Sequence, residues 1–145
     1  MKEGRPKQPP AGPIRILIAD DHALVRRGLS MLLDLEPDMA VVGEAANGTQ
    51  ALDLALQLRP DVVLADITMP RPDGIELARR LRTVLPQTKT ILVSMHEDRT
   101  MMKAAFAAGA FGYVIKRATE VQLVEAIHAA VAGRCYIDPF LEEML

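Results

Sequence analysis

Three carboxylates, a hydroxyl and an ammonium group stand at corresponding places in this chain, each at the end of a short apolar run. Asp20 and Asp21 follow IRILIA (14–19), Asp66 follows DVVLA (61–65), Ser94 ends TILVS (90–94) and Lys116 follows FGYVI (111–115). A charge at the end of a core segment is costly to bury unless something pairs with it. Brought together, three carboxylates repel one another, and a hard divalent cation with oxygen ligands relieves that repulsion. Mg²⁺ usually takes one or two carboxylates and fills its shell with water and phosphate oxygens. A carboxylate beside such an ion and a lysine suits phosphoryl transfer, with Asp66 as covalent acceptor. The metal and Lys116 would then neutralise charge on the transferring group. Taken singly, each residue also reads as a cap or turn residue, since Asp and Ser favour such places. It is the five in this order that point to a site.

The elements that must position them repeat along the chain. Apolar runs at 14–19, 39–45 (MAVVGEA), 61–65, 90–94 and 111–115 are short and rich in β-branched residues, as buried parallel strands are. Segments with helical spacing lie between them. The first spans Ala23 to Leu35, with Val25, Leu29, Leu32 and Leu33 inward and Pro37 as its stop, and the second runs from Thr49 to Leu58 before Arg59-Pro60. The third opens on the capping box Asp73-Gly74-Ile75-Glu76 and turns Ile75, Ala78, Leu81 and Leu85 inward. The fourth starts near Asp98 and ends at Gly109; the fifth opens on Thr119-x-x-Gln122 and ends at Gly133. Consecutive βα units predict an α/β fold with one parallel sheet and helices on both faces. In such sheets ligands bind outside the carboxyl ends of the strands, which is where the five polar residues fall.

Composition narrows the function classes. At 145 residues the chain is one domain with room for a substantial core, and aromatic residues, at 3%, leave that core to aliphatic side chains and methionine. A formal charge of −2 argues against this chain gripping nucleic acid by itself. The single cysteine, Cys135, excludes an internal disulfide and fits a reducing compartment. No apolar run approaches the roughly 18 residues of a membrane span. Residues 1–13, MKEGRPKQPPAGP, read as a flexible proline-rich tail.

The motifs IADDH (18–22), LADITMPRPDGIEL (64–77), ILVSMH (91–96) and GYVIK (112–116) resemble those of the receiver domain of two-component response regulators, and the resemblance spans 14–133. The DDH and SMH triplets, with GRCYIDP (133–139), are similar to the NarL/FixJ (LuxR-type) subfamily. This resemblance implies a (βα)5, flavodoxin-like fold with a five-stranded parallel sheet in the order 2-1-3-4-5. It implies Mg²⁺-dependent phosphoryl transfer from a sensor histidine kinase to Asp66, with Asp21, Asp66 and the backbone carbonyl of Thr68 as direct metal ligands and Asp20 acting through water. Ser94 and Lys116 would contact phosphoryl oxygens, and Ser94 with Tyr113 would form the switch, Tyr113 rotating into space that Ser94 vacates. The face of helix four and strand five would carry the signal, and homodimerisation on phosphorylation is possible within the family. Residues 134–145 are expected to begin a linker toward a helix-turn-helix output domain absent from this chain. The protein is expected in the cytoplasm, outside membranes, controlling transcription and catalysing nothing beyond transfer to itself and autodephosphorylation.

Other residues carry weaker expectations. Thr68, two residues after Asp66, holds a position that tunes phosphoryl lifetime in the family. Arg117 stands where many receivers have proline, so a trans Lys116–Arg117 peptide is expected. Met95 is bulkier than the residue often found there and is expected to narrow access to the pocket or restrain Tyr113. His22 is expected near the pocket mouth in a surface or capping role, and with His96 and His128 it lacks zinc-site spacing. Met95, Met101 and Met102 suit either core filling or an adaptable partner surface. Arg26 and Arg27 on the first helix are secondary kinase contacts by the resemblance, and Arg79, Arg80 and Arg82 are solvated surface. Two alternatives compete: a degenerate or stand-alone receiver acting as a constitutive interaction module, and a phosphohydrolase with an aspartyl nucleophile. The complete set of five residues opposes the first, and Thr68, where such hydrolases place a second acid, opposes the second. A nucleotide site is weaker still, since no glycine-rich phosphate loop follows the first run.

Overall fold

The computed structural model describes residues 12–95, 97–116 and 120–142. His96, Arg117 and Thr119, and with them the Lys116–Arg117 peptide and the Thr119 cap, lie outside the described residues. Strands β1 (Ile14–Ala19), β2 (Met39–Ala45), β3 (Val62–Asp66), β4 (Lys89–Ser94) and β5 (Gly112–Ile115) alternate with helices α1 (Ala23–Asp34), α2 (Gly48–Leu58), α3 (Gly74–Val84), α4 (Arg99–Ala107) and α5 (Glu120–Val131). All pairings are parallel, in the order β2-β1-β3-β4-β5 with a further strand, β6 (Tyr136–Ile137), beyond β5. The first five strands follow the expected 2-1-3-4-5 order.

The sixth is an addition to it. Residues 134–145 are expected to leave the domain as a linker, yet β6 (Tyr136–Ile137) pairs with β5, and the one-turn helix α6 (Pro139–Glu142) follows. Leu141 is fully buried in the same cluster as Tyr113. The segment stays on the sheet because β5 would otherwise expose an open edge, and because Leu141 finds an apolar site there.

Strand alternation divides the core into two layers. Leu17, Ala19, Val63, Ala65, Leu92, Tyr113 and Ile115 face Ala51 and Ala55 of α2, Leu77 and Leu81 of α3, and Met102 and Ala105 of α4. Ile16, Ile18, Val62, Leu64, Ile91, Val93 and Val114 face Leu33 of α1 and Leu123, Ala126, Ile127 and Ala130 of α5. Both faces of every central strand are covered, which is why the runs read as continuously apolar.

Helix ends follow the sequence signals. Asp73 caps α3 by accepting from the Glu76 amide at 2.9 Å, and Asp98 caps α4 by accepting from the Met101 amide at 3.1 Å. Gly109 and Gly133, at φ of 104° and 82°, take the left-handed conformation that stops α4 and α5. The inner face of α1 differs from expectation. Leu33 is fully buried, but Val25 and Leu32 are 41% and 40% exposed. Leu29 packs against the core as expected, and the face toward the sheet is completed by Arg26, Ser30 and Leu33, because Glu44 on β2 draws Arg26 and Ser30 inward. Leu24, Met31 and Leu35 consequently lie on the surface. On α3, Leu77 joins Ala78, Leu81 and Leu85 in the core, while Ile75 is only partly buried.

Candidate functional site

The carboxyl ends of β1, β3, β4 and β5 bring the expected polar residues to one edge. Asp20 and Asp66 are each 2% exposed and Ser94 is fully buried, whereas Asp21 and Thr68 reach solvent. β3 lies between β1 and β4, with Ala19 opposite Ala65 and Asp66 opposite Val93, so the strand-end residues are neighbours by register. Gly74 allows this packing. A β-carbon there would lie 2.7 Å from the Ile67 Cα and 2.9 Å from the Asp66 carbonyl oxygen, so only glycine lets α3 begin against the end of β3.

Both oxygens of Asp66 are held. Oδ1 accepts from the amide and the hydroxyl of Thr68, each at 3.2 Å, and Oδ2 accepts from Lys116 Nζ at 3.1 Å. The same ammonium lies 3.1 Å from Asp20 Oδ2, so Lys116 bridges the two buried carboxylates. Partial burial would lower the Lys116 pKa, but the hydrogen bonds to Asp20 and Asp66 outweigh it and hold the group above the ordinary lysine value. The Lys116 amide donates to the Ser94 carbonyl at 2.7 Å, tying the end of β5 to the end of β4. Around Ser94, the hydroxyl lies 3.9 Å from the Met101 sulfur. Tyr113 is fully buried beside it; burial raises its pKa, and a hydrogen bond with Ser94 partly counters that. Tyr113 thus already stands inward, where the sequence reading has it arriving only after Ser94 moves.

The remaining candidates separate cleanly. His22 lies at the pocket mouth, as expected, with Nδ1 3.3 Å from both Asp20 Oδ1 and Asp21 Oδ1 and its amide donating to Asp20 Oδ1 at 2.8 Å. Met102 is core, Met101 packs against the core beside Ser94, and Met95 is 64% exposed. His128 is far from the pocket in sequence and bonds Asp38 at 2.7 Å. Three residues of consequence were not singled out for the site by sequence reasoning. Arg26 and Glu44 form a network under Asp20, and Asp138, 3% exposed, accepts from the Ile115 amide at 3.1 Å while its own amide donates to the Tyr113 carbonyl at 3.0 Å. The one available signal was a polar residue inside an apolar run: Glu44 interrupts MAVVGEA.

Among the described residues, ligand atoms of Asp20, Asp21, His22 and Asp66 lie within 4.8 Å of one another. Lys116 lies against two of the three carboxylates, Asp20 and Asp66, and the third, Asp21, opens the cluster to solvent. That donor set, hard oxygens with an excess of negative charge, fits a divalent cation such as Mg²⁺.

The family model of the response regulator receiver domain matches residues 16–128. The chain belongs to the response regulator receiver family. It is 38% identical over 127 residues to the oxygen regulatory protein NreC of Staphylococcus carnosus, covering 87% of this chain and 58% of that protein. It is 36% identical to the transcriptional regulatory protein DegU of Brevibacillus brevis, covering 87% and 53%. The receiver therefore spans little more than half the length of these curated relatives. Among solved structures it superposes on a LuxR-family response regulator of Aurantimonas with a TM-score of 0.86 at 38% identity, covering 91% of this chain and 94% of that one. The receiver domain of the NarL regulator of Mycobacterium tuberculosis gives 0.82 at 35%, covering 86% and 100%. This receiver thus falls with those of the LuxR/NarL type. No described helix is long and apolar enough to cross a membrane.

Proposed function

We propose that this receiver accepts a phosphoryl group from a sensor histidine kinase on Asp66 and that the modification resets the Ser94–Tyr113 region. The observation that carries this reading is the bridge from Lys116 to both Asp20 and Asp66 at the rim of the sheet. A carboxylate held on both oxygens, with a fixed cation beside it, is oriented for attack without further rearrangement.

In the transfer, an Asp66 oxygen forms a bond to phosphorus as the bond from phosphorus to the kinase histidine nitrogen breaks. The histidine leaves with the bonding pair and Asp66 becomes an acyl phosphate. Lys116 stays beside the new dianion and pairs with one of its oxygens, while the Ser94 hydroxyl donates to another. Asp20, Asp21, Asp66 and the Thr68 carbonyl are the residues that would hold Mg²⁺, which when bound supplies neutralisation of the charge gathering on the phosphoryl group. Ser94 touches both Met101 on α4 and Tyr113 on β5, so drawing Ser94 toward Asp66 changes the packing under the α4–β5 face. With Tyr113 already inward, the phosphoryl group acts by fixing that arrangement against alternatives, a local charge event biasing a two-state element.

Leu24, outward at the end of α1 that adjoins the pocket, suits docking of the donor kinase, with exposed Arg27 as a secondary contact. Relatives named as transcriptional regulators support an output on gene expression through a helix-turn-helix domain of a longer protein, acting in the cytoplasm. The test is a phosphoryl mimic such as beryllofluoride with Mg²⁺, followed by amide spectra. Resonances of Ser94, Tyr113 and α4 should shift in the wild type and not in Asp66→Asn. Identical silence in both proteins would leave a constitutive interaction module as the better reading.

A further inference from the structure

Arg26 is turned into the molecule, and what it touches gives it a task apart from docking. Its side chain is 17% exposed; Nη1 donates to the Asp20 carbonyl at 2.7 Å, and Nε donates to Glu44 Oε1 at 3.1 Å. Glu44 is fixed in turn by Ser30, whose hydroxyl donates to Oε2 at 2.9 Å. The Asp20 amide donates to the Ala45 carbonyl at 3.0 Å. Both backbone polar groups of Asp20 are therefore anchored to β2, the amide directly and the carbonyl through Arg26 and Glu44. The Asp20 carbonyl belongs to the same rigid peptide unit as the Asp21 amide, so its direction fixes where the chain turns and where the Asp21 carboxylate points.

We infer that Arg26, Glu44 and Ser30 form a positioning network that orients the Asp20–Asp21 turn for the divalent cation. This rests on the phosphoacceptor reading above and adds residues to it that touch neither metal nor phosphoryl group. A planar guanidinium suits the task because it donates in two fixed directions at once, one to a carbonyl and one to a carboxylate, whereas an ammonium is a point charge. Groups that orient metal ligands from behind commonly cost about 10- to 100-fold in metal affinity when removed.

The sign of the effect separates positioning from plain electrostatics. Deleting a positive charge near an acidic pocket should tighten cation binding, and Glu44, left with the Ser30 hydroxyl and Arg27 at 3.4 Å, would be less neutralised, which tightens it further. Loss of positioning should weaken it. The experiment is Mg²⁺ titration followed by amide spectra, on the wild type, Arg26→Ala, Arg26→Lys, Glu44→Ala, Glu44→Gln and, as a remote charge control, Arg79→Ala. The expected result is affinity at least about tenfold weaker in Arg26→Ala and Glu44→Ala, partial recovery in Glu44→Gln, little recovery in Arg26→Lys, and no change in Arg79→Ala. The Asp21 amide resonance should also move in Arg26→Ala before any metal is added. Unchanged or tighter Mg²⁺ binding in Arg26→Ala overturns the inference while leaving the phosphoacceptor reading in place. A wild type that binds no Mg²⁺ overturns both. If Arg26→Ala does not fold, Arg26→Lys and Glu44→Gln decide: wild-type affinity and an unmoved Asp21 resonance in both refute the network.

Discussion

Replacing Lys116 with methionine keeps most of the side-chain volume and removes the charge, so it isolates what the bridge contributes. Lys116 Nζ lies 3.1 Å from Asp20 Oδ2 and 3.1 Å from Asp66 Oδ2, with both carboxylates almost fully buried. At an effective dielectric near 20, each contact is worth about 5 kcal/mol of gross attraction. Desolvation cancels much of that, and breaking a buried pair typically costs about 3–5 kcal/mol net. The pocket is open on the Asp21 side, where solvent screens the pair, so a value at or just below the lower end of that range, about 2–3 kcal/mol, is expected here. For a domain of this size that lowers Tm by on the order of 10 °C. The deficit has a pH signature. The folded pKa of Lys116 is raised, so its contribution is complete below the ordinary lysine value of about 10.4 and lost as pH rises through the folded value. The gap between wild type and Lys116→Met should be constant through neutral pH and close in strong alkali. Added Mg²⁺ should rescue the variant more than it stabilises the wild type, because the cation takes over the missing positive charge. Urea unfolding at neutral pH, with and without Mg²⁺, measures all of this. A variant within about 0.5 kcal/mol of wild type, or one indifferent to Mg²⁺, would refute the account of the bridge.

Further outcomes follow from other parts of the structure. Burial raises the pKa of both tyrosines, and for Tyr136, with help from Glu125 and Asp138, to about 12. Ultraviolet titration of the native protein should therefore show little tyrosinate at pH 10, where the unfolded chain is about half ionised, and stability should decline between that pH and about 12. Gly74→Ala must push α3 away from Ile67 and Asp66, and should cost about 1–3 kcal/mol in chemical denaturation and slow phosphorylation of Asp66. Asp138→Ala strands the Ile115 amide at the edge of β5; hydrogen exchange should speed at Ile115 while β1 and β3 keep their protection, with about 1–3 kcal/mol lost overall.

The convergence of the candidate site was legible in the sequence because each of its charged side chains follows a strand that is itself easy to see. Asp20, Asp66 and Lys116 stand out as charges closing apolar runs, and parallel order then brings them to one edge without knowledge of any long-range contact. Interactions between remote segments were not legible. Nothing in the spacing of α1 says that Arg26 and Ser30, and not Val25 and Leu32, face the sheet; that follows from Glu44 on the neighbouring strand, which helical periodicity cannot register. β6 is two residues long, too short to show alternation, and its placement depends on Asp138 bonding to β5 and on Leu141 finding an apolar site beside Tyr113. The inward Tyr113 belongs to the same class, since its position is set by how Ser94, Met101 and Leu141 pack and not by its neighbours in the chain.

The most direct test of the central claim is to locate the phosphoryl group. The protein is incubated with Mg²⁺ and a small phosphodonor such as acetyl phosphate, weighed intact, and mapped by peptide mass spectrometry. The expected result is a gain of one phosphoryl group, on the peptide carrying Asp66, abolished in Asp66→Asn and strongly reduced without Mg²⁺. A folded wild type that gains none even with a phosphorylated histidine kinase as donor, or that carries the group on another residue, would contradict the account.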